Sequence, residues 1–376
     1  MQILSILFAL LAIIIIGVIY QRYLEKQVYI MPNDKYDELR KYLLIESDLH
    51  KTQKPILWVH IPHEYNSRHW SSFGSRSSTE LNQPYLYLTT RSIIKECDDS
   101  FKIVMIDDGS FKKLIPNWSI NMDTLAEPML SNVRQMAMAK LLYLYGGMTV
   151  PISFLCFKDL IGLYLKGTNS GRMFVCENVN MNITSTTNMF YPDVRFMGAN
   201  KGNHTMHEYI EFVQRMSSHD FTSQLEFLGD FDRWINHRVN KKKIYLIPGI
   251  DIGTKTVDDE PVIVDTLLGT DYIKFYDNAY GIWIPSDQIL KRTNYEWFAR
   301  MSASQIFQSR CILCKHFVNE LAPKDGFYNE VNNDSSTNKK PDDWVSFWRV
   351  PLDAPVWGLK PNDLGDNVPR LDYPNN

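Results

Sequence analysis

Cysteine is scarce in this chain, five in 376 residues, and the count is odd. No framework of paired thiols is implied, so an apolar core has to hold the fold. A basic stripe is also missing. Lys and Arg number 40 against 43 Asp and Glu, a net charge of −3, with both signs mixed along the chain. That balance lacks the electrostatic footprint of nucleic-acid binding, and nucleic acid is not an expected partner. The run Lys241-Lys242-Lys243 reads as a solvated turn before a strand. Glycine-rich phosphate loops, G-x-S-x-G elbows and H-E-x-x-H pairs are absent too. P-loop, nucleophile-elbow and zincin chemistry are thereby excluded.

Long apolar runs are absent except one, Ile3–Tyr20, which carries no charge. Its eighteen residues at 1.5 Å each reach about 27 Å, enough to cross a hydrocarbon core. No Lys or Arg precedes it, and Tyr20-Gln21-Arg22 is a poor cleavage site for a signal peptidase. Residues 1–22 are therefore read as a single N-terminal transmembrane anchor rather than a cleaved signal. Arg22 and Lys26, just past the helix, favour a body on the cytoplasmic side. The sequons at Asn117, Asn182, Asn203 and Asn333 favour a lumenal one, and both orientations stay open.

Residues 23–53 read as a stalk, 54–322 as the body and 323–376 as a C-terminal arm. Hydrophobic residues make up 44% of the chain, ample for a packed core. The arm spends Trp344, Trp348 and Trp357 among its prolines, which a disordered tail seldom does. It is read as an extended segment docked on the body or on a protein partner.

In the body, Pro55–Pro62 predicts a strand, Leu86–Cys97 a helix, and Phe101–Asp108 a buried strand ending in two acids and Gly109. Pro128 opens an amphipathic helix with Leu130, Val133, Ala137, Leu141 and Leu144 on one face. Gly146-Gly147 stops that helix, and one strand is expected over Met148–Phe157. Further strands are predicted at 172–178, 194–199, 243–248, 261–268 and 273–284, and helices at 203–216, 223–239 and 295–309. Strands alternating with helices give a mixed α/β sheet.

The order of these pieces resembles a known family. Strand Ile56–His60 is followed by a helix, then Ile106-Asp107-Asp108-Gly109-Ser110-Phe111 with Pro116 downstream, then a helix ending Leu141-Leu142-Tyr143-Leu144-Tyr145-Gly146-Gly147. Over residues 55–215 this is similar to the sugar-binding DXD glycosyltransferases, in particular the capsular-polysaccharide and mannosyltransferase-like group. The resemblance implies a GT-A-like mixed sheet flanked by helices, a nucleotide-sugar donor and a glycan acceptor. It places Trp58, His60, Asp107, Asp108, Arg134, Gly146, Gly147, Pro151 and Ser153 at the substrate.

In that family two aspartates follow the glycines and hold a divalent cation against the diphosphate. Here Pro151 and Ser153 stand in their places, and Gln135 and Met138 replace an Asp and an Arg on the preceding helix. No metal ligand or cofactor is therefore assigned, and Mn²⁺ or Mg²⁺ is expected only at an unorthodox site. Asp107 and Asp108 are expected to turn with Gly109 and to help seat a base or ribose. Glu177, ending a strand, is the candidate catalytic base. Asp230-x-Asp232 reads as a helix cap. His204 and His207 read as surface residues, and Cys311-x-x-Cys314 with His316 is a candidate zinc or redox motif.

Three functions fit these features. The chain is a glycosyltransferase with basic side chains in place of the cation, a membrane-tethered structural or assembly component (such as a virion protein of a large DNA virus) that has lost catalysis, or a sugar-binding module.

Overall fold

A computed structural model describes residues 54–62, 83–125, 127, 129–181, 185, 188–218, 230–291 and 293–321. The predicted anchor, stalk and C-terminal arm lie outside these residues. Among the described residues no helix is long and apolar enough to cross a membrane.

The fold is α/β. A six-stranded mixed sheet has the order β2-β1-β3-β6-β5-β7, with β1 Ile56–His60, β2 Lys102–Ile106, β3 Gly147–Thr149, β5 Met173–Val179, β6 Phe190–Ala199 and β7 Ile244–Ile247. All pairings are parallel except those of β6, which runs against both β3 and β5. The near-continuous apolar runs of β1 and β2 follow from this arrangement, since parallel strands are covered on both faces. Leu57, Trp58, Val59 and Val104 are accordingly buried.

Helix α1 is Pro84–Cys97, α2 Phe111–Leu114, α3 Met129–Tyr145, α4 Ile161–Thr168, α5 His204–Ser217 and α6 Asp230–Asn240. Helices α3, α5 and α6 pack one core with the sheet, around Trp58, Val133, Met136, Tyr209 and Ile235. The prediction for α3 was a single apolar stripe. Asn132, Met138, Ala139 and Leu142 are buried as well, so the helix is enclosed on more than one side.

Strand β4, Phe154–Cys156, leaves the main sheet and pairs antiparallel with β8, Gly281–Trp283. The single strand expected over Met148–Phe157 is thus two strands in two sheets. Pro151 sits in the connection and cannot donate to a ladder, and Phe154 N–H closes a turn onto Pro151 O at 3.0 Å. A second core gathers α1, β4 and β8 with α7 (Val264–Leu268), α8 (Ser286–Lys291), α9 (Glu296–Arg300), α10 (Ala303–Gln308) and α11 (Ile312–Leu321). A fully buried phenylalanine such as Phe298 stabilises this core by about 1.5–3 kcal/mol.

Three other predicted elements change. The apolar run 261–268 becomes helix α7, because a short buried run fits strand or helix equally until packing decides. Only Gly281–Trp283 of the predicted strand 273–284 is a strand. The helix expected over 295–309 breaks at Met301 and restarts where Ser302 caps α10 by accepting from Gln305 N–H.

Candidate functional site

The C-terminal ends of the parallel strands are where α/β sheets collect ligand groups, and the chain's polar constellation lies there. The register sets His60 beside Ile106, so Asp108 falls just past the end of β1's neighbour. Helix α3 runs back along the sheet into Gly146. Arg134 is twelve residues before that stop, about 18 Å of helix, which carries it to the same edge.

Three side chains meet there. Asp108 Oδ2 accepts from Arg134 Nη2 at 2.6 Å, and Oδ1 accepts from Arg134 Nε at 3.0 Å. His60 Nε2 lies 2.9 Å from the same Oδ1, and the ring stacks on Phe111 at 5.4 Å. Burial alone would raise the Asp108 pKa, but the hydrogen bonds and charges of His60 and Arg134 outweigh it and hold the carboxyl well below the usual range. An ionised carboxylate only accepts, so His60 Nε2 carries the proton. Asp107 diverges from Asp108. Its carboxylate caps the turn Asp108–Ser110 by accepting from Ser110 N–H at 2.8 Å and from the Ser110 hydroxyl at 2.6 Å. The turn with Gly109 expected from the sequence is present.

Other predicted site residues are placed by packing. Trp58 is fully buried and donates Nε1–H to Gly146 O at 3.0 Å. Gly146 and Gly147 have φ of +78° and +98°, and a Cβ on Gly147 would stand 2.0 Å from Ile56 O. The close backbone that requires glycine is strand β1, not a ligand. Ser153 is 2% exposed and donates its hydroxyl to Ile284 O at 2.8 Å, while Pro151 is partly buried. Proline supplies no ligand atom and the serine hydroxyl is already committed, so these two positions do not fit a divalent cation. Among the described residues no group of three His, Cys, Asp or Glu could hold a metal. His204 and His207 instead pair with Glu208 at 3.3 Å and Glu211 at 3.5 Å on the surface of α5. Asp230 and Asp232 lie in the first turn of α6.

Further along the edge are Arg195 and Lys255, which the sequence did not single out, and Glu177, the candidate catalytic base. On β6, Arg195 is gripped by Asp193 at 2.6 Å and by Asp287 at 2.6 Å, with its guanidinium 5.3 Å from the centre of the Trp283 ring. Glu177 accepts from Gly249 N–H at 2.8 Å and pairs with Lys255 at 3.2 Å. Burial opposes the Lys255 charge, yet Asp259 and Glu177 outweigh it and raise its pKa. The spacing Asp193-x-Arg195 was the only local signal for the first cluster, and nothing local signalled Lys255.

The zinc alternative for Cys311-x-x-Cys314 is corrected, and the redox alternative stays open. The two cysteines form a disulfide, and both are buried at the start of α11. A scan of protein-family models finds no match to this chain, and a search of curated proteins finds none either.

Proposed function

We propose that the chain is a membrane-anchored, glycosyltransferase-like protein of the GT-A type that binds a nucleotide sugar without a divalent metal. One observation carries this reading. The open edge of the parallel strands holds an ionised, hydrogen-bonded carboxylate, Asp108, whereas the Pro151 and Ser153 positions offer no carboxylate at all. Oδ1 of Asp108 is taken up by His60 and Arg134, which leaves Oδ2 with at most one lone pair to accept from a ribose hydroxyl. Arg195 and Lys255, farther along the same edge, are the positive charges that stand in for a cation beside a diphosphate. Glu177, paired with Lys255 at 3.2 Å, is the carboxylate for general-base work in this reading. The run Ile3–Tyr20 supplies the tether, which suits a transferase acting on membrane-associated glycans.

A second reading, a scaffold that has lost catalysis, is favoured by the same salt bridges. Arg134 and Arg195 are already neutralised by Asp108, Asp193 and Asp287, which leaves less free positive charge for a diphosphate.

The test is to incubate the full chain in detergent with a panel of nucleotide sugars, in chelator and then in Mn²⁺, following donor hydrolysis and transfer. Turnover in chelator supports the metal-free transferase. Donor binding without turnover favours the scaffold that kept the site, and turnover only in Mn²⁺ overturns the proposal.

A further inference from the structure

Beyond the sheet edge, α1 and β4 carry an unused pair of thiols. Cys97 is the last residue of α1 and Cys156 the last of β4. Their sulfurs lie 4.0 Å apart, and both residues are fully buried. The helix and strand that carry them are already clasped. Thr89 Oγ1 donates to Ile152 O at 2.6 Å, Cys156 N–H donates to Ser92 Oγ at 2.9 Å, and Ser100 donates to Asp159. A disulfide bond is about 2.05 Å long, so each sulfur has to move by roughly 1 Å, the scale of a side-chain rotation.

The second core, to which α1 and β4 contribute, already contains one closed pair. Cys311 and Cys314 pack with Tyr85 and Leu88 of α1 and with Leu155 of β4. Conditions that oxidise that pair supply the oxidant class for Cys97 and Cys156 as well. The remaining cysteine, Cys176 on β5, is buried and is not disulfide-bonded.

We propose that Cys97 and Cys156 are a disulfide-forming site that closes as the chain folds and staples α1 to β4. A small-molecule disulfide such as oxidised glutathione is the oxidant. One cysteine thiolate attacks it and releases a glutathione thiolate, leaving a mixed disulfide. The second cysteine thiolate then attacks the protein sulfur of that mixed disulfide and expels the other glutathione. Two protein thiols are oxidised, the glutathione disulfide is reduced, and the two protons end on the two glutathiones. Burial pushes the Cys156 thiol up in the folded protein, so the exchange belongs to folding, before α1 closes over the strand.

The experiment folds the full chain, in detergent, in glutathione redox buffer, then unfolds it in denaturant with excess N-ethylmaleimide and maps the peptides by mass spectrometry. The expected result is a Cys97–Cys156 cross-linked peptide beside the Cys311–Cys314 one, with Cys176 alone alkylated. The Cys97→Ala variant should alkylate Cys156 and Cys176, showing that the trap reaches both. Alkylation of Cys97, Cys156 and Cys176 together, with Cys311–Cys314 intact, would overturn the proposal.

Discussion

Arg134 binds Asp108 side-on, through Nε at 3.0 Å and Nη2 at 2.6 Å, across the end of β2. Both side chains are less than one-fifth exposed, 16% and 18%, so this is not a solvated surface pair of negligible strength. Asp108→Asn keeps the shape and removes the charge. It should lower the unfolding free energy by about 2 kcal/mol, the scale of hydrogen bonds to a charged group. Asp107→Asn touches only a capped turn and should cost about 1 kcal/mol or less. Urea unfolding of the two variants checks the order, and equal losses would contradict it.

The pH dependence follows from two groups. Asp108 has a folded pKa below its unfolded value of about 4. Its contribution is full above that value and is lost as pH falls through the acid range toward the folded pKa. His316, packed against Phe157 and Phe275, has its pKa lowered by burial. The unfolded chain therefore binds a proton first, and stability is full above about pH 6.5 and declines as pH falls below it. His316→Phe should flatten the thermal-melt profile just below pH 6.5, while Asp108→Asn should flatten only the acid limb. An unchanged profile in His316→Phe would rule out that residue as the source.

Gly147→Ala places a methyl against Ile56 O at a backbone φ of +98°. The cost should exceed about 2 kcal/mol, because strain and overlap add. Gly202, with φ +72° and no atom near its absent Cβ, is the control, and its alanine variant should cost about 1 kcal/mol. Denaturant midpoints of the two variants decide it. Similar losses would mean that β1 does not crowd Gly147.

Aspartate at Pro151 and at Ser153 should not have equal effects. Ser153→Asp buries a carboxylate where a hydroxyl now binds Ile284 O, and should destabilise by about 3 kcal/mol or more. Pro151→Asp, at a partly buried turn, should stay within about 1 kcal/mol of wild type. If Ser153→Asp melts like wild type, that position is open to solvent and ligand after all.

Local sequence carried part of this picture. The apolar run Ile56–Val59, the Gly146-Gly147 stop and the Asp107-Asp108-Gly109 turn are short-range signals, and each appears where it was expected. What stayed hidden depends on contacts distant in sequence. Ser153 meets Ile284 across 131 positions and Arg195 meets Asp287 across 92, and no window along the chain joins them. The apolar residues Val264, Leu267 and Leu268 fit a strand pattern as well as the helix they form. Arg134 illustrates both sides. Its helix was legible from periodicity, but its partner Asp108 became evident only once β1 and β2 were in register.

Metal-independent binding of a nucleotide sugar at this edge is tested by calorimetric titration of the full chain with nucleotide sugars in chelator. Saturable binding in chelator is expected for at least one donor, unchanged by Mn²⁺ and weakened about tenfold or more by Asp108→Asn, as loss of a charged hydrogen-bond acceptor implies. Binding that needs Mn²⁺, or none with any donor, would contradict it.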